Sequence, residues 1–444
     1  MVENTKTSSK IDTLKRDDRV PALDGIRGIA ILLVMLDHFT LFGGMQPNNV
    51  VDRLFYDAAV SGWIGVDLFF VLSGFLITGI LLDTKTNKHF FRNFYLRRCL
   101  RIFPLYYGTL FVFFVALPRI VSVSQQYQQL INTQAWYWSY LVNLLIALED
   151  WPAFAIIGHF WSLAIEEQFY FFWPIIIFLF QRRNLLIICV LCIIASFGVR
   201  MGLALTGHST AATVLTPARM DGLALGALLA AVAREPNGLS RLSLWAWPTA
   251  GATGLGLIAI VVWRRALSSD DRVVQVIGYT LVVLLFGAML TVAVTSHPET
   301  APGKVFASPG LVFFGRYSYA LYVFHQPLVF LLEKHVISVG RLPRLMGLQL
   351  PGQILFIIIA TGISVSLALL SWHFYEQPCL KLKNLFPYHT NTTLSLGFKA
   401  GLPGPAAPEP PLGWGASGGG PTAGTPASVD VAGRGPSIPP ELTK

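Results

Sequence analysis

Asp37 and His38 sit well inside an apolar run, RVPALDGIRGIAILLVMLDHF over residues 19–39, and Arg27 precedes His38 by eleven residues in the same stretch. Ionisable side chains inside a segment of membrane length cost free energy and mark a functional site by default. A histidine near its ordinary pKa can take a proton from a hydroxyl at neutral pH. The plainer role for His38 is an interhelical hydrogen bond. Asp37 is the next residue on the helix and points about 100° away, so it is not expected to orient the same ring. A carboxylate from elsewhere in the chain is expected to do that.

Glu166 and Glu167 are the carboxylates expected for this task. A helix rises about 1.5 Å per residue, which puts His38 roughly 18 Å above Ile26 in a hydrocarbon core of about 30 Å. If the apolar run at Phe160 starts at the outer face, Glu166 and Glu167 lie about 9–11 Å below that face. His325 lies roughly 15 Å above Gly315. Two histidines and two carboxylates are thus expected at one depth, around a polar cavity between helices.

Arg98 and Arg101 are three apart and share a helix face. With Arg27 they form a guanidinium cluster able to pair phosphate oxygens two at a time. Arginines beside a span also anchor it by the positive-inside rule, which suffices for Arg98 and Arg101 but less well for Arg27, within the helix start. Arg219 and Asp221 are two apart and do not face each other, so they either pair with other spans or serve a polar acceptor. Arg316, Tyr319, Tyr322 and His325 recur every third residue, which draws a polar stripe along one side of a helix. Tyr319, Tyr322 and His325 are read as cavity lining. Glu376, in FYEQP, has a capping or ion-pair role as its plain reading.

The elements that must carry these residues follow from composition. The chain has 444 residues, 53% hydrophobic and 13% charged. A soluble domain carries about 25% charge. Apolar runs of spanning length recur, so the fold class is all-α, a polytopic transmembrane helical bundle. Ten spans are expected, at about 26–45, 63–82, 102–118, 160–180, 185–205, 216–233, 244–262, 273–294, 310–332 and 352–373. The segment 135–147 is aromatic and too short to span comfortably, so it reads as interfacial.

The dense basic loop with Lys85, Lys88, Arg92, Arg97, Arg98 and Arg101 should be cytoplasmic, which puts both termini inside. Arg264, Arg265 and Arg272 then fall outside, against the rule, with Asp270 and Asp271 beside them. The net charge of +9 is accounted for by such loops, and no nucleic acid is expected as a partner. Cys189 and Cys192 form a CxxC in an apolar run without further ligands and read as filler. Residues 1–18 read as a cytoplasmic arm, 19–385 as the transmembrane domain and 386–444 as a disordered Gly/Pro-rich cytoplasmic tail.

The blocks taken in order resemble one family. RVPALDGIRGIAILLVMLDHF, GVDLFFVLSGFLIT, LRRCLRIFPLYY, GHFWSLAIEEQFYFFWP, RMDGLALGALLA, GRYSYALYVFHQPL and HFYEQP are similar to the successive signatures of the acyltransferase-3 membrane proteins, the O-antigen acetylase type. The resemblance covers about residues 19–385. It implies a multi-pass enzyme of the bacterial inner membrane that moves an acetyl or short acyl group from cytoplasmic acetyl-CoA to a hydroxyl of a carbohydrate or glycolipid in the cell envelope. It also implies that Arg27 and His38 are paired functional residues and that Arg98 and Arg101 are a second pair.

On that footing Arg27, Arg98 and Arg101 hold the donor phosphates. His38, oriented by Glu166 or Glu167, acts as base or acyl carrier. No metal is required, because a thioester is already activated. No GDS-type nucleophile block follows the last span, so the chain is expected to act alone or to hand the acyl group to an envelope-biosynthesis partner. The rival reading is a proton-coupled secondary transporter of a small or glycan substrate, with His38, Glu166 and His325 as relay. It is disfavoured by the lack of broken helix pairs in matching halves.

Overall fold

Apolar runs that cannot leave their amides unpaired in lipid are expected to close every backbone hydrogen bond within a helix. The computed structural model describes residues 20–152, 155–236 and 238–387, and among them the chain is helical almost throughout. The expected N-terminal arm and nearly all of the expected tail lie outside the described residues. Among the described residues there is no strand, only an isolated antiparallel bridge between Leu345 and Leu348.

Among the described residues, ten long helices carry the fold. They are α1 (Pro21–Leu41), α2 (Gly65–Thr84), α3 (Phe90–Phe111), α4 (Phe160–Leu179) and α5 (Arg182–Leu205). Then follow α6 (Thr216–Val232), α7 (Gly238–Arg264), α8 (Tyr279–Thr295), α9 (Ser318–His335) and α10 (Leu350–Ser371). Among the described residues, eight helical stretches are long and apolar enough to cross a membrane. The two left out are α1 and α9. The first carries Asp24, Arg27 and Asp37; the second carries His325, Glu333 and Lys334. Both helices left out bear candidate chemistry, and α1 is set apart by its three charges rather than by a lack of apolar residues.

Close backbone approach sets where α1 sits. Pro21 opens it with φ already fixed for a helix. Its first turns cross a short helix, Pro309–Arg316, so tightly that a Cβ on Gly315 would stand 1.7 Å from the Asp24 carbonyl oxygen, and one on Gly28 2.1 Å from that of Leu311. Small residues at such crossings let membrane helices pack through their backbones. This contact brings Arg27 beside Arg316 at one end of the bundle. A similar crossing at Gly74 and Gly226 seats α2 against α6.

The segment expected to lie at the interface does not form a span. It breaks into Gln134–Trp138 and Val142–Glu149, with Tyr140 between them at φ 55°. The arginines that offended the charge rule are partly compensated locally, since Arg264 Nε donates to Asp271 Oδ2 at 2.8 Å. Asp271 lies outside the spans. Burial pushes its carboxyl up, but the Arg264 guanidinium and the Val273 and Val274 amides outweigh burial and hold it below the usual range.

Candidate active site

His38 lies in the last turn of α1 and meets α9. Its Nδ1 is 2.7 Å from Nε2 of His325, and the two rings stack with centroids 4.9 Å apart and planes 6° from parallel. The proton positions follow from the far side of His325. Its Nδ1 is 2.7 Å from the Tyr322 carbonyl oxygen and 3.1 Å from that of Leu321. A carbonyl only accepts, so Nδ1 carries the hydrogen and donates. In the neutral ring, Nε2 of His325 then holds a lone pair and accepts from His38 Nδ1. That leaves Nε2 of His38 as a bare lone pair, and His38 lines a cavity of about 470 Å³.

This cavity, outer in the sense of farthest from the arginine-rich end, is walled by Trp63, Trp151 and Trp161 and also takes in Asp37, His159 and Arg219. His159 completes a trio of imidazoles, its ring centroid 5.1 Å from that of His325 and 6.3 Å from that of His38. At the rim, Asp270 lies in the loop between α7 and α8, where burial, with Asp150 nearby, pushes its carboxyl above the ordinary range.

Two further cavities lie toward the arginine-rich end. One of about 110 Å³ is lined by Arg27, Arg98, Arg101, Ser73, Glu166, Glu167 and Tyr322 among others. The next, about 260 Å³, shares Arg27, Leu76, Arg101 and Tyr319 with it and adds Arg316, Glu376 and Lys383. The first inner cavity also shares Val66 and Tyr322 with the outer one. The three therefore follow one another along the bundle, with Tyr322 at the junction. Its hydroxyl is hydrogen-bonded to Ser162 Oγ and donates to the His159 carbonyl oxygen at 3.0 Å.

The guanidiniums of this inner region are lightly committed. Arg27 Nη1 pairs with Asp24 at 2.5 Å. Arg98 and Arg101 make no hydrogen bond or ion pair with a described residue; Arg98 lies over the rings of Phe94 and Tyr170, 5.9 and 5.6 Å from their centroids. Tyr319 donates to the Ile102 carbonyl oxygen at 2.7 Å and lines both inner cavities. The three-residue stripe is thus real in space: Arg316, Tyr319, Tyr322 and His325 run from the innermost cavity to His38. Glu376 accepts from Ser371 Oγ at 3.0 Å.

The expected partner of His38 is corrected by this geometry. Glu166 accepts from Ser73 Oγ at 2.6 Å and from the Tyr170 hydroxyl at 3.2 Å, and both Glu166 and Glu167 line the inner cavity with Arg98. The ring that meets His38 is His325. The cause is where α4 begins. His159 immediately precedes Phe160 and already lies among the buried histidines, so α4 starts in the middle of the bundle, not at its outer face. Seven residues further on, Glu166 is about 10 Å deeper.

Arg219 and Asp221 pair with other spans. Arg219 Nη2 donates to Asp67 at 2.8 Å and stacks on the Tyr279 ring, 4.1 Å from its centroid. Asp221 accepts from Arg200 at 2.7 Å, and Arg200 donates as well to the carbonyls of Ala218 and Gln275. These buried pairs tie α2 to α6 and α5 to α6. Sequence reasoning missed His159, Ser162 and Asp67. The available signal was a histidine directly before an apolar helix and an acid opening the second one.

Comparison with known proteins gives the family. A Staphylococcus aureus (strain COL) protein named "Putative O-acetyltransferase SACOL0978" is 28% identical over 380 residues, which cover 82% of this chain and 57% of the relative. The O-acetyltransferase OatA of S. aureus strain NCTC 8325 is 24% identical over 398 residues, 85% of this chain and 60% of the relative. The chain thus spans somewhat more than half the length of these relatives. No solved structure matches. The family model described as an acyltransferase domain matches residues 20–373, which takes in every helix named above, and the chain belongs to the acyltransferase-3 family of membrane acyltransferases.

Proposed function

We propose that this chain transfers an acetyl or short acyl group from cytoplasmic acyl-CoA to a hydroxyl of a cell-envelope carbohydrate, across the bacterial inner membrane, with both termini in the cytoplasm. The observation that carries the reading is the ordered run of cavities, guanidiniums at one end and an imidazole with a bare Nε2 at the other. The relatives' O-acetyltransferase names support it.

Arg27, Arg98 and Arg101 hold the donor's phosphates, because guanidiniums with donors to spare match phosphate oxygens in charge and in shape. Arg27 and His38 are eleven residues apart on α1, roughly 16 Å by helical rise, a gap an extended pantetheine arm can bridge. Tyr319 and Tyr322 line its path. The thioester carbonyl then stands beside Tyr322, at the edge of the outer cavity.

His38 Nε2 takes the proton of the acceptor hydroxyl as the oxygen bonds to the carbonyl carbon. The C–S bond breaks, and the proton on Nε2 passes to the departing sulfur, which restores the neutral ring. His325 holds His38 in the one tautomer that leaves Nε2 free throughout. The same nitrogen is the one that would carry the acyl group if transfer ran in two steps.

The test is labelled acetyl transfer to envelope glycans in cells producing wild-type, His38→Ala or Arg27→Ala protein. Loss of a general base costs about 10²–10⁴-fold. Full activity of His38→Ala overturns the base. Coenzyme A stabilisation of the detergent-solubilised protein supports the donor site, whereas substrate-driven proton flux in vesicles favours the transporter.

A further inference from the structure

Taking His38 as the base, we infer that the acceptor presents two hydroxyls on neighbouring carbons, and that Asp37 binds the one that is not acylated. Asp37 Oδ2 lies 3.8 Å from His38 Nε2, too far for a hydrogen bond, and both side chains line the outer cavity. Asp37 takes no hydrogen bond from a described residue. Its buried carboxylate is therefore turned to whatever fills the cavity, and a buried acceptor of this kind calls for a donor.

The chemistry of the two neighbours narrows that donor. The hydrogen on His38 Nδ1 is committed to His325, so Nε2 can only accept. Asp37, in its ionised form, can likewise only accept. The cavity thus sets two hydrogen-bond acceptors side by side with no donor between them. A lone alcohol has a single hydrogen and satisfies one of the pair. A sugar with adjacent hydroxyls satisfies both: one O–H points at Nε2 and becomes the nucleophile, and its neighbour points at Oδ2.

The carboxylate then fixes which hydroxyl is presented and holds the ring while the other oxygen attacks. It also faces the imidazolium that forms on Nε2. The cavity of about 470 Å³, the liquid share of roughly fifteen waters, admits a sugar ring between the tryptophan walls. Asp37 is in this reading an acceptor-orienting residue that sets regiospecificity.

The experiment maps acetyl esters by NMR on envelope glycans from cells producing the full chain and from cells lacking it. Glycans are handled at mildly acidic pH, where acetyl groups do not migrate between oxygens. The ester is expected on a ring carbon whose neighbour bears a free hydroxyl. Membranes with Asp37→Asn are then compared for acetyl transfer to glycan purified from the cells lacking the chain. The KM for glycan is expected to rise about tenfold to a hundredfold, as when a hydrogen bond to a charged group is lost. The acetyl-CoA KM and the thermal shift given by coenzyme A, which report on folding and on the donor cavities, are expected to stay as in wild type. An ester on a primary hydroxyl or on a carbon without a hydroxylated neighbour overturns the inference, and so does an unchanged glycan KM in Asp37→Asn. Variant protein that has lost the coenzyme A shift as well makes Asp37 a structural residue and overturns it too. Wild-type cells with no added acetyl ester overturn the function proposed above, and this inference with it.

Discussion

The two ends of the cavity system solve opposite problems. Toward the arginine-rich end, Arg98 and Arg101 have no hydrogen-bonded partner among the described residues and Arg27 has one carboxylate. In the outer cavity, His38 and His325 are locked through a chain of hydrogen bonds that ends on a backbone carbonyl. Loose guanidiniums leave their donors for a ligand with many negative oxygens and can follow its shape. A locked imidazole leaves one atom free and fixes what that atom can do. Under the proposed function the inner region binds and the outer region reacts.

If that contrast holds, the largest effect comes from removing the reacting atom. His38→Ala is expected to lower acetyl transfer by about 10²–10⁴-fold. The coenzyme A-induced thermal shift should be untouched, because the donor cavities do not contain His38. Loss of that shift together with activity would merge the two regions into one. His325→Leu comes next. It keeps the base but removes the acceptor that fixes its tautomer, and an expected loss of about tenfold to a hundredfold corresponds to roughly 1.4–2.8 kcal/mol. Combined with His38→Ala it should add little, because residues of one network are not additive.

Arginine substitutions should show the reverse pattern. Arg98→Ala and Arg101→Ala are each expected to raise the acetyl-CoA KM by about tenfold to a hundredfold, from the 1.5–3 kcal/mol that a charged hydrogen bond contributes. The rate at saturating donor should change little. Lysine should restore part of the binding by its charge but not the paired geometry. The wild-type KM for donor should also rise with salt, while the His38 step should not respond to it.

Much of this contrast could be read from spacing. Arg27 and His38 on one helix, the three-residue interval of Arg98 and Arg101, and the stripe ending at His325 are all periodic features that survive folding. The depths reckoned for His38 and His325 differ by only about 3 Å, so their meeting was within reach. Glu166 was misplaced because depth was counted from an assumed membrane face, and a sequence does not mark a helix that starts mid-bundle. Asp67 was visible only as the last charge before an apolar run. Its bond to Arg219, 152 residues away, depends on how α2 and α6 cross at Gly74 and Gly226. Long-range partners of buried charges are a property of the packing, which periodicity within one helix does not encode.

The smallest effect is expected where the two regions meet. Tyr322 is shared by the inner and outer cavities, and its hydroxyl bridges Ser162 and the His159 carbonyl oxygen. Tyr322→Phe keeps the ring that closes the passage and removes only that bridge. The loss is about 0.5–1.5 kcal/mol of stability, read as a modest fall in thermal midpoint. Transfer should drop by less than about tenfold, because neither the phosphate grip nor the His38 tautomer depends on the hydroxyl. The His325 lock runs to the backbone carbonyl of Tyr322, which the substitution leaves in place. A collapse of transfer as large as that of His38→Ala, with the coenzyme A shift and the fold intact, would show that the hydroxyl itself takes part in the chemistry. The division into a binding region and a reacting region would then have to be redrawn on the inner side of Tyr322.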